Sequence, residues 1–354
     1  MMQRDIQLDN YRALIMIHMV CVIHVIYWLC LFFPNNSFVL FGMSSVFFIS
    51  GVSMRYSSPK NNASLIWNRL KRVLLPYYVY ACVCVFILFM VLFIPKLYFA
   101  TKYSICDYKI TDFLKILFVQ TIPGIKMVFH IWFIIPYLII TCTFNYQKKL
   151  LNKYSWKYVL CNILLISFLF FAKIYEMDYL HFSYINRSFY DTSLNVLAYN
   201  IFFIIGYLYY KRLNLKILIL IAFISFFLFA ILSNLTFPDL QTHKIPPDII
   251  FVLYNIGVLC LFGILFSKIE IPNNKLLNWW NKNGYTIYLY QNLVFLFYQK
   301  TILIYISIFI GNVYFKIIVS TIIIFIMSTL LSMFTVPFEN KVMNLLLHKK
   351  NYDV

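Results

Sequence analysis

The first apolar run of the chain, LDNYRALIMIHMVCVIHVIYWL, carries Arg12 near its start and His18 and His24 within it. An ionisable group inside so apolar a segment is costly and marks a functional candidate; imidazole, with a pKa near neutrality, can accept and return a proton as a general base. In a helix the step from Arg12 to His24 covers about 18 Å, past the middle of a bilayer entered at Arg12. Each histidine has a plainer use, a hydrogen bond to a neighbouring helix, and that use suits His18 better than His24. A second group stands in NRLKRVLLPYY, residues 68–78, where Arg69 and Arg72 fall on one side of a helical turn with Lys71 beside them. Two guanidinium forks in that arrangement suit a polyanion such as a phosphorylated cofactor, while positive charge flanking an apolar run also serves as a topology signal. The eight cysteines lie almost entirely in apolar segments, without a CxxC or a Cys/His cluster, so no metal site and no disulfide framework is expected.

The elements that must position these residues belong to a membrane protein. Of 354 residues, 62% are hydrophobic and 12% charged, with mean hydropathy +0.79, which exceeds what one water-soluble core can bury. Segments long enough to cross about 30 Å of hydrocarbon fall near 12–33, 38–56, 73–94, 128–145, 158–173, 194–210, 214–233, 249–267, 285–310 and 313–336. The expectation is an all-α polytopic integral membrane helix bundle of about ten transmembrane helices, forming a single domain over 1–345 with a short cytoplasmic tail at 346–354. The net charge of +18 sits in short runs between the apolar segments, a pattern of membrane topology that excludes nucleic acid as a partner. Most Lys and Arg fall on the side of the N-terminus, and the other side gathers Lys96, Lys102, Lys109, Lys115 and Lys126 in one loop, so both termini are predicted cytoplasmic. The segment 113–122, too short to span, is predicted to be re-entrant or interfacial.

Six segments resemble, in order, those of the integral-membrane acyltransferase 3 family. They are LDNYRALIM with a deeper histidine, VFFISGVSMR at 46–55, RLKRVLLPYY, HIWFIIPYL at 130–138, FFIIGYLYY at 202–210 and GYTIYLYQN at 284–292. The resemblance implies transfer of an acyl group from cytoplasmic acyl-CoA, usually acetyl-CoA, to a hydroxyl of a bacterial surface polysaccharide or its lipid-linked oligosaccharide precursor. It implies a multi-pass protein of the bacterial cytoplasmic (inner) membrane, in contact with membrane lipid. Carried over residue by residue, His24 is the catalytic base or acyl relay, Arg12 its helix-mate, and Arg69 and Arg72, with Arg12, the grip on coenzyme A. His130 and Trp132 are candidates for the acceptor sugar, and Ser50, Tyr288 and Gln291 for lining the same cavity.

Two departures stand out. The family usually spaces its first-helix arginine and histidine one residue closer, whereas Arg12 and His24 are twelve apart, a rotation of about 120° on an ideal α-helix. Either the helix carries a one-residue bulge or Arg12 is not the pairing residue. Gln291 stands where the family generally has histidine, and an amide cannot shuttle a proton. The chain stops after a short basic tail without the hydrolase-like domain of some relatives, so it either completes the transfer or hands the acyl group to a separate extracytoplasmic partner. A transporter of polysaccharide or lipid-linked sugar is the rival reading, and it would not require acyl-CoA.

Overall fold

The computed structural model describes residues 5–29, 31, 34–56, 61–93, 116, 119, 126–154, 156–177, 184–209, 214–244, 247–272 and 274–346. Among these, every regular element is a helix, with one isolated bridge between Lys244 and Pro247. Helix α1 (Ile6–Ile17) passes through a π-helical segment, His18–Ile23, into α2 (His24–Trp28). There follow α3 (Gly42–Tyr56), α4 (Asn62–Phe93), a 3₁₀ turn at Lys126–Phe133, α5 (Ile134–Cys142), α6 (Phe144–Tyr154), α7 (Trp156–Met177) and α8 (Tyr184–Tyr209). The chain continues with α9 (Leu215–Leu232), α10 (Ile249–Lys268), α11 (Lys275–Lys300), α12 (Ile302–Phe309) and α13 (Val313–Leu346). Capping side chains mark several starts: Asp5 accepts from the Leu8 amide, Asn214 from Lys216 and Asp248 from Phe251.

Six of these helical stretches are long and apolar enough to cross a membrane: Ile6–Trp28, Ser37–Tyr56, Asn62–Ile87, Leu215–Leu232, Ile249–Lys268 and Val313–Leu345. Helices α11 and α12, bent by 50° at their junction, make a seventh if taken as one span. These match seven of the ten expected segments. The run at 128–145 divides into the 3₁₀ turn and α5, that at 158–173 holds only the short apolar stretch Lys157–Phe168, and that at 194–210 lies in α8, which also carries Arg187, Asp191, Asn195 and Asn200. Most of 113–122 and of the lysine-bearing loop before it lies outside the described residues. Helix α9 exposes Ile217, Ile219, Leu220, Phe223, Ile224 and Phe227, a surface that suits lipid and not water.

The chain divides into two compact units. The first takes the described residues within 1–23, 32–62 and 139–281. Its centre is the contact of α3 with α8, where the backbones approach so closely that a Cβ on Gly51 would lie 1.9 Å from the Phe203 carbonyl oxygen, and one on Gly206 would lie 2.0 Å from that of Phe48. Small residues permit this approach, the usual means of helix association in lipid. The glycines of VFFISG and FFIIGY are thus two halves of one contact. The LDNYR segment ties α1 to the end of α10: Asn10 donates to the Ile271 carbonyl (2.9 Å), and Tyr11 Oη, within reach of two acceptors, to those of Phe266 (2.7 Å) and Ile269 (3.0 Å). The Tyr11 bonds satisfy carbonyls that the end of α10 leaves without intrahelical partners.

The second unit takes the described residues within 24–31, 63–138 and 282–354. Here α2 packs on α13. Tyr285 Oη donates to the Val73 carbonyl (3.0 Å), joining α11 to α4, and Tyr298 Oη to Ser320 Oγ (2.7 Å), joining α11 to α13.

Candidate functional site

Polar residues of α11 converge on His24 and His130, both singled out in the sequence, within the second unit. His24 opens α2 directly after the π-helical segment and is 7% exposed. Its Nδ1 lies 2.8 Å from Gln291 Oε1. The Gln291 amide is oriented by its other end, Nε2 donating 2.7 Å to the Tyr288 carbonyl, so Oε1 faces the ring. A carbonyl oxygen only accepts; Nδ1 therefore carries the ring proton, and Nε2 is the basic nitrogen of the neutral imidazole. Trp28, one turn further along α2, stacks on the ring at 3.9 Å and 10°.

His130, in the 3₁₀ turn, is 2% exposed. Asn292 Nδ2 lies 2.5 Å from His130 Nδ1. The ring also meets the backbone carbonyls of Leu289 and Tyr288 on α11. Tyr288 Oη donates 3.1 Å to the His130 carbonyl and fixes the turn. The Tyr288 ring lies 5.5 Å from that of His24 and 5.1 Å from that of His130, and Trp28 lies edge-on to His130 at 5.8 Å. Tyr80 of α4 closes the far side, 6.0 Å from His130 and 5.1 Å from Tyr290. Adjacent residues of one helix, Gln291 and Asn292, thus hold two buried imidazoles, each at its Nδ1.

Arg69 and Arg72 lie on α4, in the same unit, with Arg72 exposed and Arg69 half-buried. Tyr80 lies eight positions beyond Arg72 and eleven beyond Arg69, about 12 and 16 Å along the helix axis. Lys71 lies over the Trp67 ring at 4.8 Å and is engaged there. Two guanidinium groups one turn apart on α4 suit the oxygens of an anion.

Arg12 and Ser50 belong to the first unit. Arg12 Nη1 donates to Asp9 Oδ1 (3.1 Å) and Asn281 Oδ1 (3.2 Å), and Nη2 to Ser53 Oγ (2.6 Å). Ser50 Oγ donates to the Val46 carbonyl of its own helix at 2.8 Å. Trp132 is half-buried in the same 3₁₀ turn as His130. The π-helical segment between α1 and α2 is the kind of local expansion that the Arg12 to His24 spacing called for. Among the described residues no group of His, Cys, Asp and Glu could hold a metal ion.

The sequence reading missed Asn292 as the partner of His130, Trp28 as the platform under His24, and Glu339. Glu339, buried on α13, accepts from Thr286 Oγ1 at 3.0 Å. Only Trp28 left a local signal, its i+4 spacing from His24.

A family model described as an acyltransferase domain matches residues 5–336. No curated protein and no solved structure matches the chain. The match takes in nearly the whole chain, the apolar helices and both histidines, and the chain belongs to the acyltransferase 3 family of membrane acyltransferases.

Proposed function

We propose that this protein is an O-acyltransferase that takes an acyl group from cytoplasmic acyl-CoA, acetyl-CoA in the usual case, and esterifies a hydroxyl of a surface polysaccharide or its lipid-linked precursor. On this reading it works in a bacterial inner membrane with about ten spans and both termini cytoplasmic. The observation that carries it is the His24–Gln291 pair: a buried imidazole held with Nδ1 protonated presents Nε2 as a base in a water-poor site. The thioester is already activated, so the residues have three tasks: to deprotonate the acceptor hydroxyl, to hold the developing oxyanion and to exclude water. His24 Nε2 takes the hydroxyl proton as the oxygen attacks the acyl carbon, and returns it to the departing thiolate. Arg69 and Arg72 grip the phosphates of the donor, and the stretch of α4 between them and Tyr80 is the length over which the extended phosphopantetheine arm reaches the buried rings. Trp132 stacks on the acceptor sugar.

The test is NMR analysis of ester-linked acyl groups on surface polysaccharide from cells with the gene, without it, and with His24→Ala. Deletion and His24→Ala are both expected to remove the ester signals. Unchanged acylation on deletion overturns the enzymatic reading, and normal acylation with His24→Ala overturns the assignment of the base. In isolated membranes, Arg69→Ala and Arg72→Ala are each expected to raise the KM for acetyl-CoA about tenfold or more, the loss of one charge-assisted contact.

A further inference from the structure

We infer that Glu339 and Tyr290 bind the amide-bearing pantetheine arm of the acyl donor. The inference rests on the acyl-CoA reading above and extends it to the stretch between the arginines of α4 and the buried rings. Glu339 stands on α13, within a segment long and apolar enough to cross a membrane, and is 3% exposed. Its Oε1 accepts from Thr286 Oγ1 at 3.0 Å, while its Oε2 is buried and has no hydrogen-bond partner within the protein. No Lys, Arg or His among the described residues makes an ion pair with it. A tie between two helices needs only one oxygen, and a carboxyl buried at membrane depth with its second oxygen unmet is costly.

Tyr290 lies one turn beyond Thr286 on the same face of α11. It is 3% exposed, and its Oη is likewise buried without a partner. Glu339 acts electrostatically on both Tyr290 and Tyr285. The Tyr285 hydroxyl meets the carbonyl of Val73, the neighbour of Arg72, and the Tyr290 ring packs edge-on against Tyr80 at 5.1 Å. Within the second unit, α4, α11 and α13 thus share a polar strip that begins level with Arg72 and ends at Tyr80, the ring beside His130. One phenolic O–H without an acceptor and one carboxyl oxygen without a donor are the complement of a secondary amide: its carbonyl accepts from Tyr290 Oη, and its N–H donates to Glu339 Oε2. A sugar hydroxyl also gives and accepts, but the strip starts beside the arginines, on the way from the donor's phosphates to the rings. The phosphopantetheine arm carries its amides along that way. Contacts to them hold the arm extended, so that the thioester arrives where His24 stands.

Titration calorimetry on detergent-solubilised full-length protein tests this with two ligands, coenzyme A and phosphoadenosine diphosphate, its nucleotide portion without the arm. Tyr290→Phe, which removes only the hydroxyl, and Glu339→Met, which keeps the length of the side chain, are each expected to weaken coenzyme A about tenfold, the loss of one buried hydrogen bond. Both are expected to leave the nucleotide bound as in wild type, which also shows that each variant is folded. Arg72→Ala is expected to weaken both ligands. The proposal is overturned if both variants bind coenzyme A as wild type does, the two atoms then holding water only, or if Tyr290→Phe loses both ligands in equal measure. Wild-type protein that binds both ligands with the same affinity overturns the proposal and leaves the acyl-CoA reading standing. Wild-type protein that binds neither overturns that reading itself.

Discussion

At the scale of single residues, the site is decided by which atom of each side chain faces which. An imidazole at membrane depth is a base only if something holds its other nitrogen, and Gln291 does so for His24 through a carbonyl oxygen whose orientation is locked by the helix behind it. The glutamine cannot shuttle protons and is suited to fixing a tautomer, so its presence in place of histidine leaves the base intact. Replacing Gln291 with leucine is expected to lower acyl transfer tenfold or more while leaving the protein folded; kcat and KM in membranes check this. Arg12 meets three side chains of its own unit, and its substitution is expected to act through that network. Tyr11→Phe, which removes the hydroxyl bound at the end of α10, is expected to cost about 1–3 kcal/mol, measurable as a lower thermal midpoint in detergent.

At the scale of elements, two local devices hold the first unit in shape. The reciprocal contact of Gly51 and Gly206 leaves no room for a β-carbon against the facing carbonyl. Gly206→Val is therefore expected to abolish the folded, monodisperse protein, whereas substitution of Gly311, which faces open space, is expected to be tolerated; size-exclusion profiles in detergent distinguish the two. The second device lies between α9 and α10, where His243 Nδ1 donates to Asp248 Oδ2 at 2.5 Å and Asp248 Oδ1 caps α10 through the Phe251 amide. The hydrogen bond to Asp248 holds the His243 pKa above its ordinary 6.5. A folded-state pKa raised in this way contributes stability that is fully present below about 6.5 and is lost as pH rises through the raised value. Thermal midpoints of wild type and His243→Gln are accordingly expected to converge as pH rises through that window.

At the scale of the whole molecule, apolar helices with lipid-suited faces predict a protein that alkaline carbonate does not strip from membranes and that requires detergent for extraction. Reporter fusions are expected to place both termini in the cytoplasm, and an extracytoplasmic terminus would overturn the proposed orientation. Composition by itself determined the class, because 62% hydrophobic residues in long runs admit no other solvent than lipid, and the charge runs between them suggested a topology. Residue type and depth were enough to single out His24, since an ionisable group deep in an apolar run is conspicuous without any partner in view. The sequence also held the glycines of VFFISG and FFIIGY, 155 positions apart, but not their meeting, because helix association depends on which faces oppose each other in space. The pairing of Gln291 with His24 and Asn292 with His130 was hidden for the same reason: the partners lie 267 and 162 residues apart. A tautomer is set by the orientation of one amide against one ring, a property of packed side chains that no linear spacing encodes.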